Sequence, residues 1–146
     1  MLSGAVWRVK GIALEEFKVR KRGRYGRCDL YFGLKSGRKY NHYDAEAKHC
    51  WVKMYERVKA ARDRIERCVG ESRKAARRLL RPDDGTRLSL AFITFCGGDR
   101  KSNGEQIESW IKELSSHYEK SRAVAWFFDE RIEETPGAAI IMTIVE

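Results

Sequence analysis

Residues 28–48 constrain the fold more than any other stretch of this chain. Cys28-Asp29-Leu30-Tyr31-Phe32-Gly33-Leu34-Lys35-Ser36 and Lys39-Tyr40-Asn41-His42-Tyr43-Asp44-Ala45-Glu46-Ala47-Lys48 read as two strands joined at Gly37-Arg38. Glycine at the first central position of a two-residue loop suits a type II′ hairpin, because that residue takes a positive φ. Ser36 then faces Lys39, facing residue numbers sum to 75, and Asp29 faces Glu46. Directly opposed residues have Cβ atoms about 4.5–5.5 Å apart, and two carboxylates that close repel unless a proton or cation lies between them.

Side-chain alternation selects the same register. Successive strand residues point to opposite faces. Leu30, Phe32 and Leu34 share an apolar face with Tyr43, Ala45 and Ala47. Asp29, Tyr31 and Lys35 share a polar face with Tyr40, His42, Asp44, Glu46 and Lys48. A slip of one residue would mix the two sets. A competing reading has Asp44 capping a helix already running at Ala47, which would make Glu46 an ordinary first-turn acid. The strand reading accounts for more residues.

The 146 residues suit a single domain spanning 1–146. With 42% hydrophobic and 35% charged residues, a disordered chain is excluded. No apolar run is long enough for a membrane-spanning helix, and residues 1–8 lack the apolar region of a signal peptide. A cytoplasmic protein is expected. Its four cysteines fall singly, without the paired spacing of a zinc knuckle, and read as buried free thiols. The net charge of +9 is uneven: residues 1–86 hold 23 Lys/Arg against 11 Asp/Glu, and residues 87–146 hold 7 against 10. Lys18, Arg20, Lys21, Arg22, Arg24 and Arg27 crowd into one short arm. Cation density of this kind suits a phosphate-rich polyanion, because each neutralised phosphate releases counterions. A solvated basic surface, or one that docks on an acidic protein, has the same composition.

Leu14–Val19 reads as a strand, or as a short helix leading into one, and Arg22–Gly26 as a loop. From Cys50 to Leu80 the pattern is helical. Trp51, Met54, Val58, Ala61 and Ile65 step by three and four along one face, while Gly70 is a candidate break. Arg57, Arg64, Arg77 and Arg78 belong to this basic stretch. Leu88–Cys96 is apolar on both faces, as a central strand is. Ser102 and Glu105 have capping-box spacing for a helix to Tyr118. Ala123–Phe128 and Ala138–Val145 read as two last strands. The expected fold is α/β: a mixed sheet in the order β-β-β-α-β-α-β-β, with an N-terminal hairpin or meander and flanking helices.

Arg27-Cys28-Asp29-Leu30-Tyr31-Phe32, then Glu46-Ala47-Lys48, then a helix and a buried strand, resemble the PD-(D/E)xK superfamily of restriction-endonuclease-like nucleases over roughly residues 14–96. The resemblance implies that Asp29 and Glu46 hold Mg²⁺ (or Mn²⁺) and that Lys48 orients or activates the attacking water. It also implies a further acid from the first helix, at Glu15 or Glu16. It allows a homodimer. Elementary chemistry agrees, since Mg²⁺ binds through one or two carboxylates and completes its shell with water and phosphate oxygens. Three features depart from the family pattern. The strand before Glu46 is unusually polar, cysteine rather than proline precedes Asp29, and the first helix is short or missing.

Glu46-Ala47-Lys48 alone is a common match, and Glu16-Phe17-Lys18 repeats it in this chain. His42 shares the acids' face, and His49 lies nearby in the sequence. Both read first as surface histidines. Trp126-Phe127-Phe128 reads as core rather than as a stacking platform. Three functions follow: a metal-dependent phosphodiesterase acting on DNA or RNA through Asp29, Glu46 and Lys48, a non-catalytic nucleic-acid-binding protein on the same fold, or a protein-interaction module with a basic docking face.

Overall fold

The structure, a computed structural model, describes residues 8, 11–21, 24–53, 56–79, 85–96, 109, 113, 116, 122–128 and 137–145, without the side chains of 16–27, 122–124 and 126–128. Strands β1 (Ile12–Lys21), β2 (Arg24–Ser36) and β3 (Lys39–Lys53) lead to helix α1 (Val58–Ala76) and strand β4 (Gly85–Cys96). Strands β5 (Arg122–Phe128) and β6 (Gly137–Val145) follow. Ser109, Glu113 and Ser116, between β4 and β5, are helical. The rest of the helix expected there, its capping box and the 97–104 loop lie outside the described residues.

The six strands form one sheet in the order β1-β2-β3-β4-β6-β5. β1, β2 and β3 make an antiparallel meander, and β5 pairs antiparallel with β6. Helix α1 joins β3 to its neighbour β4, the crossover that connects parallel strands. The fold is α/β with a mixed sheet, and the order of its described elements roughly matches the expected one, with one helix between β3 and β4.

The β2–β3 hairpin has the register read from the sequence. Facing pairs run from Ser36↔Lys39 to Leu30↔Ala45, and Gly37 takes φ 62° at the turn. Leu30, Phe32 and Ala45 are buried, and the Phe32 and Tyr43 rings stack with centroids 5.0 Å apart.

Other boundaries move. Leu14–Val19 is strand within β1, with no short helix, and Arg24-Tyr25-Gly26 is strand rather than loop, paired with Lys21, Arg20 and Val19. β3 continues to Lys53, so residues 44–50 are strand and the alternative with Asp44 as a helix cap is overturned. Trp51 therefore stands in a strand, exposed, and not on the buried helix stripe. Helix α1 starts at Val58, itself exposed, and passes through Gly70 without a break. Ala61, Ile65, Cys68 and Val69 form its buried face. Their three-and-four spacing is helical. Trp51 matched that spacing only by coincidence, because alternation in a strand also recurs at every fourth residue.

Backbone packing divides the chain into two compact units. The first comprises Met1–Ala47, Ser72–Ser89 and Ile144–Glu146. Its buried residues include Ala13, Cys28, Leu30, Phe32, Ala45, Ala76 and Leu88, and the hydroxyls of Ser72 and Ser89 meet at 2.7 Å in its interior. The second comprises Lys48–Glu71 and Leu90–Thr143. Its core joins Cys50 and Val52 of β3 to Ala61, Ile65, Cys68 and Val69 of α1, with Ala91, Ile93 and Phe95 of β4 and Ala139 and Ile141 of β6. Each large aliphatic or aromatic side chain so enclosed contributes about 1.5–3 kcal/mol. The thiols of Cys50 and Cys68 hydrogen-bond within this core. That bond, with burial, pushes the Cys50 thiol up. The same bond pulls Cys68 down against the cost of burial.

Candidate metal and nucleic-acid site

Two ladders lay the first unit's polar face out in rows. The β1–β2 register places Ile12 across from Gly33, Leu14 across from Tyr31, and Glu15 across from Leu30. The β2–β3 register adds His42 beside Gly33, Asp44 beside Tyr31, and Tyr40 beside Lys35. Reading outward from the Gly37 turn, the face runs Lys35·Tyr40, then Ile12·Gly33·His42, then Leu14·Tyr31·Asp44. The ladder ends at Leu30↔Ala45, and Asp29 and Glu46 are the next residues on their strands beyond that last pair.

The backbone ties Asp29 to the strand that bears Glu46. Ala47 N–H donates to Asp29 Oδ2 at 3.0 Å, so the aspartate is held against the Glu46-Ala47 segment from the neighbouring strand. Asp29 and Glu46 are both half-buried. Cys28, just before, turns its thiol onto the carbonyls of Leu30 (3.2 Å) and Ala45 (3.4 Å). Burial pushes this thiol up to about 11, so it stays protonated and inert.

The two candidates for a further acid separate by face. Glu15 faces Leu30 and so belongs to the side of the sheet away from Asp29, exposed to solvent. Glu16 falls at the register position across from Asp29, between the pairs Glu15↔Leu30 and Phe17↔Cys28. It comes from a strand and not from a first helix. Among the described residues, no group of three or more His, Cys, Asp or Glu is arranged to hold a metal. Asp29 and Glu46 are carboxylates, the donor type that Mg²⁺ prefers.

Lys48 is the first residue of the second unit and lies two residues beyond Glu46 on β3, on the same side of that strand by alternation. Its charge helps to lower the Cys68 thiol of α1. His49 points to the other side, where its Nε2 meets Thr94 Oγ1 at 2.8 Å and its ring tilts against exposed Trp51.

Sequence reasoning underrated the middle of the polar face. His42 is not a plain surface histidine. Its Nδ1 lies 2.6 Å from the Tyr31 hydroxyl, and its ring stacks between Tyr31 (centroids 5.9 Å) and Tyr40 (6.5 Å). The three rings close over Gly33, where a Cβ would meet Tyr40, Tyr31 and His42 at 3.5–3.7 Å, in ordinary van der Waals contact. Asp44, 6% exposed, has its carboxyl raised by burial, partly offset by nearby His42. Burial, then the Asp44 charge, raises the Tyr31 hydroxyl. The signal was present in the register, because Tyr31↔Asp44 and Gly33↔His42 are facing pairs.

Of the expected phosphate contacts, Arg57, Arg77 and Arg78 are exposed. Arg64 is exposed as well but is engaged within the chain, with Nη1 on the Trp51 carbonyl at 3.0 Å and Nη2 on Glu56 at 2.8 Å. Lys18, Arg20, Lys21, Arg24 and Arg27 stand on the β1–β2 hairpin, with their side chains outside the described residues, as is Arg22 altogether. The first unit holds 17 Lys/Arg against 8 Asp/Glu, and the second 13 against 13. The whole net charge of +9 therefore sits in the unit that carries the acids. No described helix is long and apolar enough to cross a membrane. Compared with known proteins, the chain matches no family model, no curated protein and no solved structure.

Proposed function

We propose that this protein is a metal-dependent phosphodiesterase acting on nucleic acid in the cytoplasm, with Asp29 and Glu46 as the ligands of Mg²⁺ or Mn²⁺. The observation that carries the reading is the hydrogen bond from Ala47 N–H to Asp29 Oδ2, which holds one carboxylate beside the strand segment bearing the other. A carboxylate has about four lone-pair sites, so this bond fixes Asp29 while leaving capacity for a cation. Glu16, at the facing register position, is the candidate third acid. Lys48, on the Glu46 side of β3, supplies the cation that stabilises charge developing on the transferred phosphoryl group. The bound metal would supply Lewis-acid activation of water and phosphate.

The basic character of the first unit supports a phosphodiester substrate, with Arg77 and Arg78 and the hairpin arm available to its backbone. Four free thiols suit a reducing compartment. With Mg²⁺ or Mn²⁺ the purified protein should nick plasmid DNA or degrade RNA. Glu46→Ala should abolish cleavage while leaving binding intact. Cleavage that survives Glu46→Ala would overturn the site, and binding without cleavage under any divalent metal would leave a non-catalytic nucleic-acid-binding protein.

A further inference from the structure

The polar face of the β1–β2–β3 meander carries more than the acid pair. Toward the Gly37 turn its rows hold Tyr31, His42 and Tyr40, stacked in series with interplanar angles of 19° and 30°. Across the ladder on edge strand β1 stand Ile12 and Leu14, 49% and 51% exposed, and Tyr40 is 39% exposed. In the other direction, beyond Asp29, the β1–β2 backbone ladder continues through Lys18↔Arg27 and Arg20↔Tyr25. An acid row and an aromatic strip thus follow one another along one sheet face, and the strands beyond the acids carry Lys18, Arg20, Lys21, Arg24 and Arg27 in sequence. From Glu46 to Tyr40 is six strand residues, about 20 Å at ~3.4 Å per residue.

From this order we infer that the face takes a single strand of nucleic acid, with unpaired bases lying on the Tyr40–His42–Tyr31 strip and the backbone passing over the acid row toward the hairpin cations. The inference rests on the proposed phosphodiesterase reading for the role of the acids, but not for the stacking. Two physical facts favour an unpaired strand. Aromatic side chains and their apolar neighbours gain nothing from a duplex, whose bases are already stacked on one another. They gain much from free bases, each with an open π-face, which stack on aromatic residues whatever the sequence. The unit's excess of cations matches the phosphates such a strand brings, whereas an acidic peptide would leave the aromatic strip without flat partners. The Tyr31 hydroxyl lies 2.6 Å from His42 Nδ1 and ties the two rings together, and Gly33 beside the three rings carries no side chain. The strip is built before any strand arrives, so little ordering is left to be done on binding.

The test is equilibrium binding in EDTA, where cleavage plays no part, by fluorescence anisotropy with a twelve-residue oligo-dT, the matching abasic strand and a duplex of the same length. Oligo-dT should bind more tightly than both of the others. Tyr40→Leu should weaken oligo-dT binding roughly tenfold while leaving the duplex and abasic strands unchanged, and Tyr40→Trp should restore it. Tyr40 lies at the exposed end of the strip, and circular dichroism of each variant separates loss of binding from loss of fold. Equal affinity for the abasic strand, or an equal loss on duplex, would overturn the inference, as would tighter binding of poly-glutamate than of oligo-dT. Failure of this test leaves a metal-dependent nuclease standing. Absence of cleavage with oligo-dT binding intact removes the nuclease and leaves the stacking face.

Discussion

The two compact units divide their labour by charge. The second is electrically neutral and is organised around a continuous apolar core between α1 and strands β3, β4 and β6. The first carries the whole net charge, and one face of its meander is given over to acids, aromatic rings and exposed aliphatic groups. Stability comes chiefly from burying apolar area. Recognition of a polyanion comes from cations and solvent-facing rings that the same accounting leaves unburied. A single chain can serve both ends by keeping them in different places.

The largest effect that bears on this division is expected in the neutral unit. Phe95 is fully buried in the core, and Phe95→Ala should cost about 3–5 kcal/mol in urea unfolding. At temperatures where the variant remains folded, its affinity for oligo-dT should not change. A loss of affinity in the folded variant would break the division. A smaller effect is expected in the charged unit. Arg77→Ala and Arg78→Ala should each lower the slope of log affinity against log salt by about one, with little change in unfolding free energy. Arg57→Ala, in the neutral unit, should move that slope less.

The smallest effect concerns pH. The Cys28 thiol ionises near its ordinary 9.0 in the unfolded chain and near 11 when folded, because burial disfavours the thiolate. Between those values the folded state holds more protons than the unfolded one, so its contribution to stability falls as pH rises. Wild type should lose more stability than Cys28→Ala between pH 9 and pH 11. Identical pH profiles would mean that the thiol is not enclosed.

Much of the fold was legible because one glycine and one alternation pattern fix the β2–β3 register. The strand extension to Lys53, on which Glu46 and Lys48 depend, was harder to read. From Cys50 onward β3 is covered by the helix, and its residues Cys50 and Val52 are apolar like those of the helix that follows. Periodicity separates two such elements poorly when both are buried on one side. Glu15 and Glu16 were indistinguishable for a different reason, since only the pairing of β1 with β2 says which of two adjacent residues shares a face with Asp29. The Tyr31–His42 contact needed the register, and Gly33 beside it was no guide. A glycine inside a strand can mark a bulge, a bend or close packing, and nothing in the linear chain chose among them.

Ser72 and Ser89 carry a consequence of their own. Apolar surfaces are nearly indifferent to small displacements, so a helix on a sheet could settle at several positions that differ by a turn and bury similar area. Two hydroxyls enclosed in the interior and 2.7 Å apart are not indifferent. Sliding α1 by one turn would part them and strand each in apolar surroundings, at a cost of about 1–3 kcal/mol per group. The serine pair acts as an index mark, giving the helix one address along the sheet among several that hydrophobicity alone would accept.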